Sequence, residues 1–324
     1  MVGHRGEARP ARSRPGRRAP PAADLAARSP PLVASGGMDP ADRTRPTAPD
    51  GEVTADGPVG VSGEGPVEGE GEALFTPDGG GFLPGELARG PWSPEALHGG
   101  PVAALAVRAA ECCEPDGGLQ LVRLTLELLR PVPLSHLSVG ARLVRPGRRV
   151  QLVDVTIEAG GVAVALARGL RMRVAPPPGA QAAAAPPTDE PRPLPPERGV
   201  VVDPLRADYR AFHNGAVEIR FVDGQFDVPG PATAWFRLRY PVVPGEEPSP
   251  WQRAAAAADF GNGISAQFPF GSAMFINPDL TVELVRPPEG PWVGLEARTR
   301  FGSPGIGWAE SALWDATGRI GRST

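Results

Sequence analysis

The chain has 324 residues, with 33 basic residues, all of them arginine, against 37 acidic ones, a formal net charge of −4 and a pI near 5.7. That balance argues against nucleic acid as the main partner, since such partners are bound through excess positive charge. No stretch approaches the roughly 20 apolar residues of a membrane span, and the arginine-rich start is not followed by the apolar run of a secretory signal.

Residues 1–70 are rich in Pro, Gly, Arg and Ala and show no apolar period. They cannot bury enough surface to offset the entropy of ordering, so a disordered tail is expected, with Met38 an alternative start. Residues 71–175 read as a first folded unit. His98-Gly99-Gly100 opens an alanine-rich helix running from Pro101 to about Glu111, closed by Cys112 and Cys113, which read as core or near-core thiols. Adjacent cysteines suit neither an ordinary disulfide nor a CxxC motif. Leu124-Thr-Leu-Glu-Leu-Leu-Arg-Pro131 alternates as a strand does, and its proline stops the ladder. Strand-like runs follow at Val139–Val144, Val150–Ala159 and Val162–Val174, with Arg148 and Arg149 in an exposed turn and Asp154 on a solvated face. A Pro/Ala-rich linker spans 176–196.

Residues 197–324 read as a second unit built to the same plan. Its helix, Trp251-Gln-Arg-Ala-Ala-Ala-Ala-Ala-Asp259, is closed by Phe260-Gly261-Asn262-Gly263. The octapeptide returns as Leu280-Thr-Val-Glu-Leu-Val-Arg-Pro287, at a spacing of 280 − 124 = 156 residues. Runs at Val293–Phe301 and Gly307–Trp314 follow, and Trp292, Trp308 and Trp314 are expected to pack in the core or between units. The last strand is expected to be short or cut off at Thr324. Helix followed by antiparallel strands, written twice, implies tandem duplication of one α+β unit. A helix apolar nearly all round must be wrapped. The expected architecture is therefore a tandem (double) hotdog, each unit a long central helix wrapped by a curved antiparallel sheet, with the two sheets joined edge to edge.

Leu97-His-Gly-Gly-Pro-Val102, Leu129-Arg-Pro131, Val217-Glu-Ile-Arg220, Ala234-Trp-Phe-Arg-Leu-Arg239, Ala258-Asp259-Phe260 and Val285-Arg-Pro287 occur in an order that resembles the acyl-CoA thioesterase II family. The resemblance covers roughly residues 72–324. It implies hydrolysis of acyl-CoA to a free acid and coenzyme A, without cofactor or metal. Hotdog units commonly assemble, so a homodimer or higher homo-oligomer is expected, and the sequence patterns above lead to a cytoplasmic expectation.

Thioester hydrolysis needs a held water, a proton acceptor and donors for the developing oxyanion. Asp259 is the candidate base. It ends a helix, where the macrodipole disfavours negative charge, and apolar neighbours should raise its pKa. A turn-capping role is the structural alternative. The family's aspartate is paired with a threonine and a glutamine. The threonine position holds Asn277, the glutamine would fall beyond Thr324, and Thr281 reads as an outward strand residue. Substrate contacts are expected from His98, Gly99, Gly100, Phe260 and Gly261, with backbone N–H groups of the two glycines offered at a helix N-terminus. His98 reads first as the residue opening the helix. Phe268, Phe270 and Phe275 are candidates for apolar lining, and the second half should carry the chemistry. A non-catalytic acyl-binding protein is the alternative of another class. A hydratase is disfavoured because no histidine follows Asp259, a serine hydrolase because no Gly-x-Ser-x-Gly elbow occurs, and a metal site because the histidines are scattered.

Overall fold

Thirteen strands make one antiparallel sheet in a computed structural model that describes residues 71–175, 191–202, 208–226, 228–269, 272, 275–303 and 305–324. The expected N-terminal tail, residues 176–190 of the expected linker, and Phe270 lie outside the described residues. The first half contains β1 (Phe75–Asp78), β2 (Gly81–Pro84), α1 (Gly99–Cys112), β3 (Leu119–Leu128), β4 (Leu137–Arg145), β5 (Val150–Ala159) and β6 (Val162–Arg173). The second contains β7 (Val200–Val201), β8 (Val217–Gln225), β9 (Val228–Leu238), α2 (Pro250–Ala258), α3 (Gly261–Ile264), β10 (Asp279–Leu284), β11 (Trp292–Phe301), β12 (Gly307–Asp315) and β13 (Gly318–Ser323).

The strand order β1-β2-β4-β5-β6-β3-β10-β13-β12-β11-β9-β8-β7 reads the same from either end, apart from the additional β7. The two octapeptides meet at its centre. Thr125 on β3 faces Thr281 on β10, and 281 − 125 = 156, so the repeat's own spacing sets the axis between the halves. Other pairings keep the same offset. Ser138↔Glu158 corresponds to Gly294↔Trp314, Ala159↔Val162 to Asp315↔Gly318, and Leu126↔Ala167 to Val282↔Ser323. The hydrogen bond from Leu129 N–H to the Val164 carbonyl recurs from Val285 N–H to Ile320.

Alternation explains the burial. Leu124 and Leu126, like Leu280 and Val282, point into the core, whereas Thr125, Glu127, Thr281 and Glu283 are less covered. The helices fill the space against this face. In α1, Val102 to Val107 are all buried, and in α2 so are Trp251 and Ala254 to Ala258. The helices lie side by side and antiparallel, because the start of α1 touches the end of α2 and the start of α2 touches the end of α1. Small residues permit this approach. A Cβ on Gly100 would sit 2.5 Å from the Ala256 carbonyl oxygen.

Three expectations need correction. Trp308 is 55% exposed, since its position on β12 faces away from the core, whereas Trp314 is buried. Trp292 is half-buried and lies under the guanidinium groups of Arg220 and Arg237. Cys112 is exposed on the last turn of α1, whereas Cys113, half-buried and packed against the core, is the near-core thiol expected.

Candidate functional site

The site forms where the first turn of α1 meets the last turn of α2. His98 is the N-cap of α1, with extended backbone (φ −70°, ψ 142°), and its Nδ1 lies 3.0 Å from the Gly100 N–H nitrogen. Asp259 follows α2 as its C-cap, still helical in backbone, and the chain turns through Phe260 into α3. Antiparallel packing therefore places the Asp259 carboxylate over the α1 N-terminus. The His98 Nδ1 to Asp259 Oδ2 distance is 2.9 Å. Asn277, in the segment leading into β10, donates from Nδ2 to Asp259 Oδ1 at 3.0 Å.

Gly99 makes this approach possible. A Cβ there would sit 2.7 Å from Oδ2 and 2.8 Å from Oδ1 of Asp259, inside van der Waals contact. The His98 ring is wedged between Phe212 (centroids 5.1 Å) and Phe260 (4.7 Å). Phe236 stacks on Phe260 from behind at 4.8 Å. Nδ1 can accept from the Gly100 N–H or, when protonated, donate to Asp259, but not both at once. The second arrangement turns the Gly100 N–H to the carboxylate and leaves Nε2 as the ring's acceptor.

The expected rise in the Asp259 pKa is reversed. Burial is the largest single influence and does push it up, but His98, the Asn277 amide and the Gly100 N–H together hold it below the usual carboxylate value. The sequence shows only the dipole of α2 and the apolar neighbours of Asp259. The N-terminus of α1, supplied by the other half of the chain, opposes that dipole and favours the negative charge.

A cavity of about 550 Å³ opens onto this cluster. His98, Gly99 and Val102 line it from the first half, and Asp259, Phe260 and Asn277 from the second. Phe268 and Phe275 form part of its apolar wall. Gly100 and Gly261 do not line it. Gly100 serves the helix contact, and a Cβ on Gly261 would sit 2.6 Å from Ser311 Oγ, so that glycine serves packing against β12. Both halves line the site, as the expected substrate contacts from His98 and Gly99 require. Asn262 was not singled out from sequence. Its Nδ2 donates to Asn277 Oδ1 at 3.0 Å, extending the chain of amides that ends on Asp259. The signal was its position three residues after Asp259, one turn on.

At the opposite ends of the same helices stands a second, different pairing. Ser249, the N-cap of α2, donates from Oγ to Glu111 near the end of α1 at 2.9 and 3.0 Å, and Gln252 Nε2 lies 3.3 Å from Glu111. There, buried Arg171 covers the end of α1, donating to the carbonyls of Ala110, Cys113 and Glu114. Among the described residues no group of three or more His, Cys, Asp or Glu could hold a metal, and no helix is long and apolar enough to cross a membrane.

This is a hotdog fold. A protein of unknown function with that fold from Alicyclobacillus acidocaldarius is 18% identical, with a TM-score of 0.59 over 77% of this chain and 92% of its own. The tesB protein of Mycobacterium avium subs paratuberculosis is 15% identical, with a TM-score of 0.54 over 79% of this chain and 93% of its own. Residues 88–172 match the acyl-CoA thioesterase N-terminal domain and residues 181–324 the acyl-CoA thioesterase C-terminal domain. The chain belongs to the acyl-CoA thioesterase family. A search of curated proteins finds no match.

Proposed function

We propose that the chain is a double hotdog enzyme that hydrolyses acyl-CoA to a free carboxylic acid and coenzyme A, with the cluster of Asp259, His98 and Asn277 as its catalytic centre. The observation that carries the reading is a buried carboxylate held by three donors at a helix N-terminus, inside a largely apolar cavity. The acyl chain lies along the Phe268 and Phe275 wall. Asp259 accepts a hydrogen bond from water and takes its proton as the water oxygen attacks the acyl carbon. The Gly99 N–H, which helix geometry leaves without an internal acceptor, stabilises the charge developing on the carbonyl oxygen. Collapse of the intermediate breaks the carbon–sulfur bond, and the leaving thiolate recovers the proton. Asn277 and His98 keep the carboxylate ionised and aimed.

A second reading of the same reaction has His98 Nε2 take the proton, with Asp259 fixing the ring through Nδ1. The 2.9 Å contact favours it. Release of coenzyme A from acyl-CoAs of graded length, by the full chain and by Asp259→Asn and His98→Gln, tests both. General-base catalysis is worth about 10²–10⁴-fold. Loss of that size in Asp259→Asn with a smaller loss in His98→Gln supports the first reading, and the reverse order supports the second. Wild-type turnover that both variants retain would sink the site. Ligand-dependent stabilisation with no turnover would instead favour an acyl-binding role.

A further inference from the structure

The repeat places an arginine at the end of each central strand, Arg130 and Arg286, with 286 − 130 = 156. Their surroundings differ. Arg286 is clamped. It makes a two-pronged ion pair with Asp315, with Nη2 at 2.7 Å from Oδ1, and Nη2 also reaches Thr317 Oγ1 at 2.7 Å. Asp315 is buried and accepts further N–H groups from Glu289, Thr317 and Gly318. Its pKa is held down to about 2, burial being outweighed by these donors. The arginine is thereby a structural tie between the end of β10 and the β12–β13 turn.

The first half has no such partner. By the shared register, the place of Asp315 belongs to Ala159 (315 − 156 = 159) and that of Thr317 to Gly161 (317 − 156 = 161). Neither side chain can accept a hydrogen bond. Arg130 is exposed and, among the described residues, has no ion pair or other partner. It is also the one guanidinium among the described residues lining the cavity that contains Asp259. The same residue, released from its structural duty, thus stands at the solvent side of the site.

We infer that Arg130 anchors a phosphate group of the coenzyme A portion of the substrate, outside the cavity in which the thioester lies. This rests on the acyl-CoA reading above and adds the contact that holds the nucleotide end. A guanidinium suits the task because its planar fork matches phosphate oxygens and its charge does not titrate at neutral pH.

The test measures binding of coenzyme A, 3′-dephospho-coenzyme A and pantetheine by calorimetry, at low salt, to the full chain and to Arg130→Ala and Ala159→Asp. Arg130→Ala should weaken coenzyme A about five- to tenfold, as expected for a partly exposed charge-assisted contact, and pantetheine much less. Ala159→Asp rebuilds the Asp315 arrangement and should weaken coenzyme A in the same direction by occupying Arg130, with its thermal midpoint kept or raised. Wild-type affinity for dephospho-coenzyme A that falls to the Arg130→Ala level assigns the contact to the 3′-phosphate. Unchanged affinity assigns it to the diphosphate. Coenzyme A bound equally well by Arg130→Ala, or pantetheine weakened as much as coenzyme A, overturns the inference. Failure of hydrolysis reads separately: a wild-type protein that binds coenzyme A through Arg130 yet releases none from acyl-CoA sinks the enzymatic reading alone. A wild type that binds no coenzyme A sinks both.

Discussion

Asp259 shows how one carboxylate can be buried and still remain charged. Alone in an apolar pocket it would be neutral at pH 7. Three donors reverse that preference, and the closest of them depends on a glycine with no side chain to interpose. Gly99→Ala should therefore push the carboxylate off His98 and the helix N-terminus. We expect kcat/KM to fall by about 10²-fold, as misplacement near 1 Å can produce, measured as coenzyme A release. A wild-type rate in that variant would remove Asp259 from the mechanism. The sign of its linkage follows from the lowered pKa. The stability Asp259 contributes is present above the unfolded carboxylate value of about 3.9 and is lost as pH falls through the folded value below it. Protonation of this group should not limit activity between about pH 5 and 8.

At the scale of elements, the antiparallel helix pair gives two ends with one geometry and two chemistries. His98 and Asp259 occupy one end, Ser249 and Glu111 the other. Glu111 has donors but too few of them. Burial, the largest influence, raises its pKa despite Ser249 and Gln252. The linkage consequently has the opposite sign. The folded state holds the proton more tightly, so stability falls as pH rises from the unfolded value of about 4.3 through the higher folded one. Glu111→Gln should raise the thermal midpoint at pH 7 and flatten its dependence above pH 5, with turnover retained. A lower midpoint at pH 7 would show that the ionised form is needed. Most elements were legible in the sequence because their signals are local. The octapeptides, the alanine-rich helices and β5 lie within a few residues of where periodicity put them. The hairpin of β1 and β2 was not read, being two four-residue strands whose alternation is too brief to register. The site was legible as a list of residues but not as an arrangement. Asp259 and His98 stand 161 positions apart, and only helix packing between halves brings them together. The meaning of Arg130 was hidden for a related reason, since it appears only when each arginine's partner across the fold is compared.

In the whole molecule one continuous sheet joins the two halves, so they are expected to unfold as one cooperative body. Among the described residues β3 and β10 share the centre of the one sheet. Of the six tryptophans only Trp92 precedes the linker, so tryptophan fluorescence reads mainly the second half. Leu126→Ala opens a cavity in the first half, and large-to-small changes of this kind cost about 2–5 kcal/mol. The urea midpoint should fall equally by fluorescence and by circular dichroism. Two separated transitions would show that the halves unfold independently.

The ends of that sheet carry a consequence for the protein in concentrated solution. A strand edge is a template for another chain, and its danger grows with its length. Here the outermost strands are β1 and β7, of four and two residues. Among the described residues these two strands offer a second copy only a few ladder hydrogen bonds, but β2 meets β4 at the single pair Phe82↔Leu137, so most of nine-residue β4 is an edge as well. Guarding that edge falls to charged side chains on the strand itself, the exposed Arg142 and Arg145.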